Sequence, residues 1–242
     1  MKKLGMFCIC LLWASILAAE SKVFVLCFHT FWGNPKYQYD FSHEEFANIL
    51  DQFSAAGFKF VTMDDIFANT VDGTKNILVT IDDGNESVYD AFATVLLSRN
   101  IKPVLAIIGG SIGNIKQDLT WSQVEELQSE GCYIAAHGWF HIVAGERLYV
   151  LSPCLFEQEL VKSKLVLERH IQGPIIVYIY PYGRYIKEDD VEVPRHGYLL
   201  AFGLDQKPLE VPLGPPLYNL PRYLFDRYNY QRLTTEIINE AQ

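Results

Sequence analysis

The sequence predicts an α/β protein built on a mostly parallel sheet of about seven strands. Three observations carry that reading. Apolar strand-like runs alternate along the chain with stretches of helical period. The runs are continuous rather than alternating, as in strands buried on both faces. The 242 residues are 50% hydrophobic, enough for one sizeable core. An open doubly wound sheet and a closed barrel both fit this pattern.

The elements follow in order. "KVFVLCF" (22–28) is the first strand. Ser42, with Glu45 three residues later, makes a capping box, and Phe46, Ile49, Leu50 and Phe53 then form one apolar helical face. Gly57 ends that helix, and "FKFVT" (58–62) is the second strand. "ILVTI" (77–81) is the third, followed by a helix from about Val88 to Ser98, and "VLAII" (104–108) is the fourth. Thr120 and Gln123 repeat the capping box before a short helix that ends near Gly131. "YIAA" (133–136) is the fifth strand. Ser152 and Pro153 open a long helix toward His170, with proline at the first helical position. "IIVYI" (175–179) and "YLLAF" (198–202) are the sixth and seventh strands, and "YQRLTTEIINEA" at the end is helical. The proline-rich stretch 207–221 reads as an extended wall of the same domain.

The first residues differ in kind. Lys2 and Lys3 precede an uncharged, mostly apolar run, Met6 to Ala19, that ends in the small pair Ala18–Ala19. That is the layout of a secretory signal peptide over 1–19. The run is short for a membrane span, which needs about 20 residues; an uncleaved anchor is the alternative. The expectation is one domain over 20–242, exported to the periplasm or the cell exterior, with no stable membrane partner unless the leader stays uncleaved. The formal net charge of −9 argues against nucleic acid or an anionic membrane surface as main partner. Five cysteines occur without a CxxC pair or regular spacing, which argues against a disulfide framework or a cysteine zinc site. Cys27 and Cys132 read as small buried hydrophobes.

In a parallel α/β sheet, chemistry gathers at the carboxyl ends of the strands. His29 follows the first strand, and Asp82 and Asp83 follow the third. His137 follows the fifth, with His141 four residues on, and Tyr180-Pro181-Tyr182-Gly183 follow the sixth. On a helical turn the i, i+4 spacing puts both imidazoles on one side, within reach of one ion. A carboxylate from another strand end completes a set of two histidines and one aspartate with positions left for water. Adjacent acids at a strand mouth repel each other. The conflict is relieved if one binds a cation and the other stays free as a base for a water whose pKa is lowered toward ~7.

From about Val23 to Arg222 the chain resembles a polysaccharide deacetylase of the NodB-homology type, a metal-dependent carbohydrate esterase. "VTIDDGNESVYD" resembles the first motif of that family, "IAAHGWFH" the His-[Ser/Thr]-x-x-His motif, and "YIYPYGRY" the motif that ends in Pro-Tyr-Gly. The resemblance implies a distorted (β/α) barrel of seven or eight mostly parallel strands. It implies Asp83, His137 and His141 as ligands of one divalent metal ion, usually zinc. Cobalt and nickel remain open, since two nitrogens and an oxygen do not select sharply. Asp82 would be the general base that activates metal-bound water against an acetamide carbonyl. The backbone N–H of Tyr182, with the metal, would stabilise the oxyanion. The substrate implied is an N-acetylated glycan of the cell envelope or exterior. Trp139 and the Tyr182 ring read as apolar faces for a sugar ring.

Three departures accompany the resemblance. Ile179 stands where the third motif usually carries an arginine, and Tyr180 replaces a proline. Arg222, in "LPRY", is expected to supply that charge to Asp82. Gly138 stands where a hydroxyl residue is usual, so one supporting hydrogen bond is missing. The C-terminal Leu-x-His motif, which usually holds the general acid, is not visible. His29, in "CFHTF", is expected in that role, because His170 and His196 precede strands and should face the wrong end. Two other functions compete. One is a degenerate homologue that binds glycan with little turnover; the intact ligands and base weigh against it. The other is a phosphatase with Asp82 as nucleophile, which lacks the usual Asp-x-Asp spacing.

Overall fold

The apolar runs become one curled sheet. A computed structural model describes residues 21–142 and 150–242, so the predicted leader at 1–19 lies outside the described residues. The predicted runs give β1 (Ser21–Phe28), β2 (Lys59–Phe60), β3 (Asn76–Ile81), β4 (Val104–Ile107), β5 (Tyr133–Ala136), β6 (Val177–Ile179) and β7 (Leu200–Phe202). Their order is β7-β6-β5-β4-β3-β1, parallel throughout, with β2 paired to the start of β3.

Two further strands bring the sheet to nine, beyond the seven or eight expected. Leu209–Val211 (β8) runs antiparallel to the start of β1, and Tyr223–Leu224 (β9) pairs parallel with Leu26 and Cys27 of β1. Both are short and sit among prolines, which hides them from a pattern search. The segment leading into β9 also ties β7 back toward β1. Ala201 donates to the Leu217 carbonyl, Leu220 to that of Ala201, and Gly203 to that of Leu220. The same segment then reaches β1 through β9. Residues 217–225 therefore bridge the two edges of the sheet.

The helices are α1 (His43–Ala55), α2 (Met63–Phe67), α3 (Ser87–Ala91), α4 (Trp121–Ser129), α5 (Pro153–His170), α6 (Asp189–Arg195) and α7 (Tyr230–Glu240). Both predicted capping boxes, Ser42/Glu45 and Thr120/Gln123, are formed. A third, Thr62/Asp65, starts α2 and cuts short the strand predicted over 58–62. The helix predicted from Val88 widens into a π turn at Phe92–Leu96 and ends with Asn100 at φ 53°.

Period-two alternation splits the sheet into two faces. Phe24, Leu26, Phe28, Val79 and Ile107 pack with Phe46, Ile49, Leu50 and Phe53 of α1 in the larger core. Val23, Val25, Leu78, Val104, Ala135, Val177 and Leu200 form the second core, with Met63 and Ile66 of α2 against them. Burial of this kind is worth about 25 cal/mol per Å² of apolar surface, and it fixes the strand register on which the site depends.

Candidate active site

The second-core file of each strand runs out into polar side chains. On β1, Val23 and Val25 are followed by Cys27 and His29; on β3, Leu78 by Thr80 and Asp82; on β5, Ala135 by His137. Residues two apart share a face of a strand, so a thiol, a carboxylate and two imidazoles converge at one end of the sheet.

Asp82 is 3% exposed and Arg222 is fully buried. The guanidinium grips the carboxylate in a fork, Nη1 to Oδ1 at 2.7 Å and Nη2 to Oδ2 at 3.0 Å. The remaining donors are also used: Nη1 reaches Thr80 Oγ1 at 3.0 Å and Nε the Gly203 carbonyl at 3.1 Å. Arg222 comes from the bridging segment just ahead of β9, while Ile179, at the position of the family's arginine, is apolar core. Burial alone would raise the Asp82 pKa. Arg222, then His137, outweigh it and hold the carboxyl well below the usual carboxylate range. Cys27 Sγ lies 3.4 Å from Asp82 Oδ2. Its burial matches the sequence reading, and burial pushes its thiol well up, so it meets Asp82 as a neutral donor. The contact was legible only as the shared parity of Cys27 and His29.

Asp83 has left the file. Its backbone takes φ 78°, a left-handed turn that a side chain seldom adopts, and this re-aims its carboxylate. Oδ1 lies 3.5 Å from His137 Nε2 and 3.4 Å from His141 Nε2. That oxygen is buried and has no hydrogen-bond partner among the described residues. One ligand atom each from Asp83, His137 and His141 lies within 4.8 Å of the others. A buried orphan oxygen facing two imidazole nitrogens fits a divalent cation, and the donor set alone leaves the metal's identity open.

The two histidines are held differently. His137 is buried, and its Nδ1 is 2.7 Å from the Ile179 carbonyl, which turns Nε2 toward Asp83. Burial would lower its pKa, but Asp82 and Asp83 raise it. His141 is pushed down to about 4 by burial and by the neighbouring His137. The expected helical turn between them is absent: 137–142 is a loop, with Gly138 at φ 78° and His141 at φ 55°. Glu159 of α5, which the sequence reading missed, accepts from the backbone N–H groups of Trp139, Phe140 and Ile142. The only sequence signal for it was a carboxylate on the apolar side of that helix.

The other candidates fall as follows. His29 has its ligand atom within 4.8 Å of those of Cys27 and Asp82. Its ring lies 5.0 Å from that of Tyr39, and its Nδ1 is buried without a partner among the described residues. Tyr182, at φ 59°, puts its ring 4.6 Å from that of His141 and is 59% exposed. Trp139 packs beside Gly110, with Lys162 Nζ 5.7 Å over its ring. His170 stacks on Trp121 at 3.9 Å, and His196 faces Glu192 on α6.

The family model for polysaccharide deacetylase matches residues 69–200, more than half of the chain. The chain belongs to the polysaccharide deacetylase family. YxkH of Bacillus subtilis (strain 168), itself provisionally named for this family, is 30% identical over 127 residues, 52% of this chain and 44% of that protein. The chain thus spans less than half the length of that curated relative in the match. Among solved structures, IcaB from Ammonifex degensii is 25% identical with a TM-score of 0.76, over 90% of this chain and 97% of that one. BC0361, a polysaccharide deacetylase from Bacillus cereus, shares the fold at a TM-score of 0.74 and 21% identity, over 90% of this chain and 69% of that one. So does the Streptococcus pyogenes deacetylase PplD, at 0.76 and 19%, over 90% and 98%. The deacetylase match contains Asp82, Asp83, His137, His141 and Tyr182, whereas His29 and Arg222 lie outside it.

Proposed function

We propose that this chain is a metal-dependent hydrolase that removes N-acetyl groups from a glycan. The observation that supports it most is the pairing of a neutralised carboxylate, Asp82, with an unpaired one, Asp83, beside two imidazoles. Asp83, His137 and His141 would hold one divalent ion, zinc first. Such an ion, when bound, polarises a carbonyl and acidifies a water molecule.

The chain's own residues supply the rest. Asp82 takes the proton of the attacking water. Arg222 fixes both oxygens, which keeps Asp82 ionised at rest and aimed, at the cost of some basicity. His29, close to Asp82, gives a proton to the departing amine. The Tyr182 backbone N–H supports the oxyanion. The exposed Tyr182 ring and Trp139 offer faces to sugar C–H groups. The −9 charge favours neutral or partly deacetylated, cationic chains over anionic ones.

The apolar run Met6 to Ala19 supports export, with one catalytic domain from residue 20 working where envelope or extracellular glycans are. No described helix is long and apolar enough to cross a membrane. Sequencing the N-terminus of protein recovered outside the cytoplasm tests this, with Glu20 as the expected first residue.

The deciding experiment is acetate release from N-acetylglucosamine oligomers by the chain from residue 20. It is run with added zinc, after chelation, and with Asp82→Asn. Release that needs both metal and Asp82 supports the reading. Stoichiometric metal without release favours the glycan-binding alternative. That alternative keeps one observation: neither His170 nor His196 faces the site.

A further inference from the structure

The loop "HGWFH" presents a puzzle of its own. It carries one ligand histidine at each end, yet it is neither helix nor strand. His137 is anchored by the Ile179 carbonyl. His141 has no such anchor on its other ring nitrogen among the described residues; its Nε2 faces Asp83 Oδ1 at 3.4 Å, and its ring is flanked by those of His137, at 4.8 Å, and Tyr182, at 4.6 Å. Its position therefore rests on the backbone beneath it, which sits at φ 55°.

That backbone is clamped from two sides. Gly109 and Gly110 donate to the carbonyls of Gly138 and Trp139, at 3.0 and 3.1 Å. From the other side comes Glu159, 0% exposed, on α5. Its Oε1 accepts from Phe140 N–H at 2.8 Å, and its Oε2 accepts from Trp139 N–H at 3.1 Å and Ile142 N–H at 3.4 Å. No lysine or arginine pairs with it among the described residues; burial works against its charge, and the backbone N–H groups of Phe140, Ile142 and Trp139, with His137 nearby, favour it. A buried carboxylate in that setting is costly unless its hydrogen bonds are satisfied. Gly138 makes the approach possible: a Cβ there would stand 2.4 Å from Glu159 Oε2. The glycine at the motif's hydroxyl position thus leaves room for a carboxylate reaching in from the next helix.

We infer that Glu159 is a positioning residue of the metal site, replacing from α5 the support that Gly138 cannot give, and that Gly138 and Glu159 work as one unit. This rests on the proposed metal site. Glu159 touches neither substrate nor metal; it holds the loop that places His141, and it sets negative charge behind the ligands.

The test uses the full chain and zinc itself, with affinity measured by competition against a chromophoric chelator. The proteins are wild type, Glu159→Gln, Glu159→Ala, Gly138→Ala, the Gly138→Ala/Glu159→Ala pair, and Asp83→Asn. Glu159→Gln keeps the shape but turns one acceptor into a donor facing an N–H. It should weaken zinc binding about ten- to a hundredfold, the usual cost of losing a partner behind a ligand, with the zinc-free thermal midpoint little changed. Gly138→Ala should weaken binding similarly. The double variant should be no weaker than the worse single one, because both changes break the same contact. Glu159→Gln binding zinc as wild type does, or additive losses in the pair, would overturn the inference. Absence of stoichiometric zinc binding by wild type, or equal binding by Asp83→Asn, would overturn the metal site itself and this inference with it. Should Glu159→Ala not fold, Glu159→Gln and Gly138→Ala still decide.

Discussion

Asp82 and Asp83 are covalent neighbours in opposite surroundings. Asp82 sits at the end of an inner strand file, almost fully buried, with both oxygens on one guanidinium. Asp83 lies one residue on, past a left-handed backbone turn, with a buried oxygen that accepts no hydrogen bond among the described residues and faces two imidazoles. The protein neutralises one carboxylate with a cation of its own; in the proposed reading, the other would take a cation from outside. Strand parity does half of this sorting and the turn at Asp83 does the rest. The difference teaches that two like charges at a strand mouth are tolerable when each has its own counter-charge.

The largest effects should come from exchanging the two environments. Asp83→Asn is expected to lose stoichiometric metal and to lower acetate release by about a thousandfold or more, the scale of several kcal/mol of transition-state charge stabilisation. Asp82→Asn is expected to keep the metal while turnover falls by about a hundred- to ten-thousandfold. Metal content by elemental mass spectrometry, read beside acetate release, separates the two. Equal metal loss in both variants would erase the contrast drawn between them.

Next is the internal cation. Arg222→Ala strands a buried carboxylate, and breaking a buried pair on one side costs about 3–5 kcal/mol. The urea midpoint should fall accordingly, and turnover should fall with it as Asp82 loses its aim. Asp82→Asn/Arg222→Met removes both charges and should recover most of the stability, though none of the activity. If Arg222→Ala instead unfolded like wild type, the pair would be an ornament of the fold rather than its support.

Much of this site was legible beforehand, and the reasons are physical. The run Ile77–Ile81 ending in Asp82, and Tyr133–Ala136 ending in His137, declare their strands by apolar continuity, and parallel topology carries both ends to one rim. Arg222, in "LPRY", was expected at Asp82 because Ile179 stands where the resembled family carries its arginine, and it lies there. What escaped was whatever depends on backbone outside regular period. The short β8 and β9 are hidden among prolines. The spacing of His137 and His141 mimics a helix that the chain does not form. Glu159 stands out in sequence only as a carboxylate on the apolar side of its helix, and the loop folded against it reveals its use. Cys27 likewise read as an apolar strand residue until the pairing of β1 with β3 set it against Asp82.

Another buried aspartate sharpens the comparison with the smallest effect. Asp189, at the start of α6, is 1% exposed; its Oδ2 accepts from Ile186 N–H, and its Oδ1 has no partner among the described residues. No guanidinium comes to it among the described residues. Burial, helped by the nearby Glu188, Asp190 and Glu192, pushes its carboxyl from the usual 3.8 up to about 7, the opposite direction from Asp82. The consequences for stability are opposite too. Asp82 is depressed, so its contribution is present above the unfolded value and is lost as acid carries the pH down through the folded one. Asp189 is raised, so folding is favoured while both states are protonated, below about pH 4, and that advantage drains away as the pH climbs toward 7. Asp189→Asn cannot ionise. It should match wild type near pH 4 and exceed it at pH 8 by about 1–3 kcal/mol, part of the linkage that a shift of this size allows. Urea midpoints at the two pH values read this directly. A gain of the same size at both would mean that the substituted amide improves packing or hydrogen bonding, and that the absence of a paired cation is irrelevant to Asp189. A gain confined to the higher pH would show a carboxylate buried without the counter-charge that Asp82 obtains from Arg222.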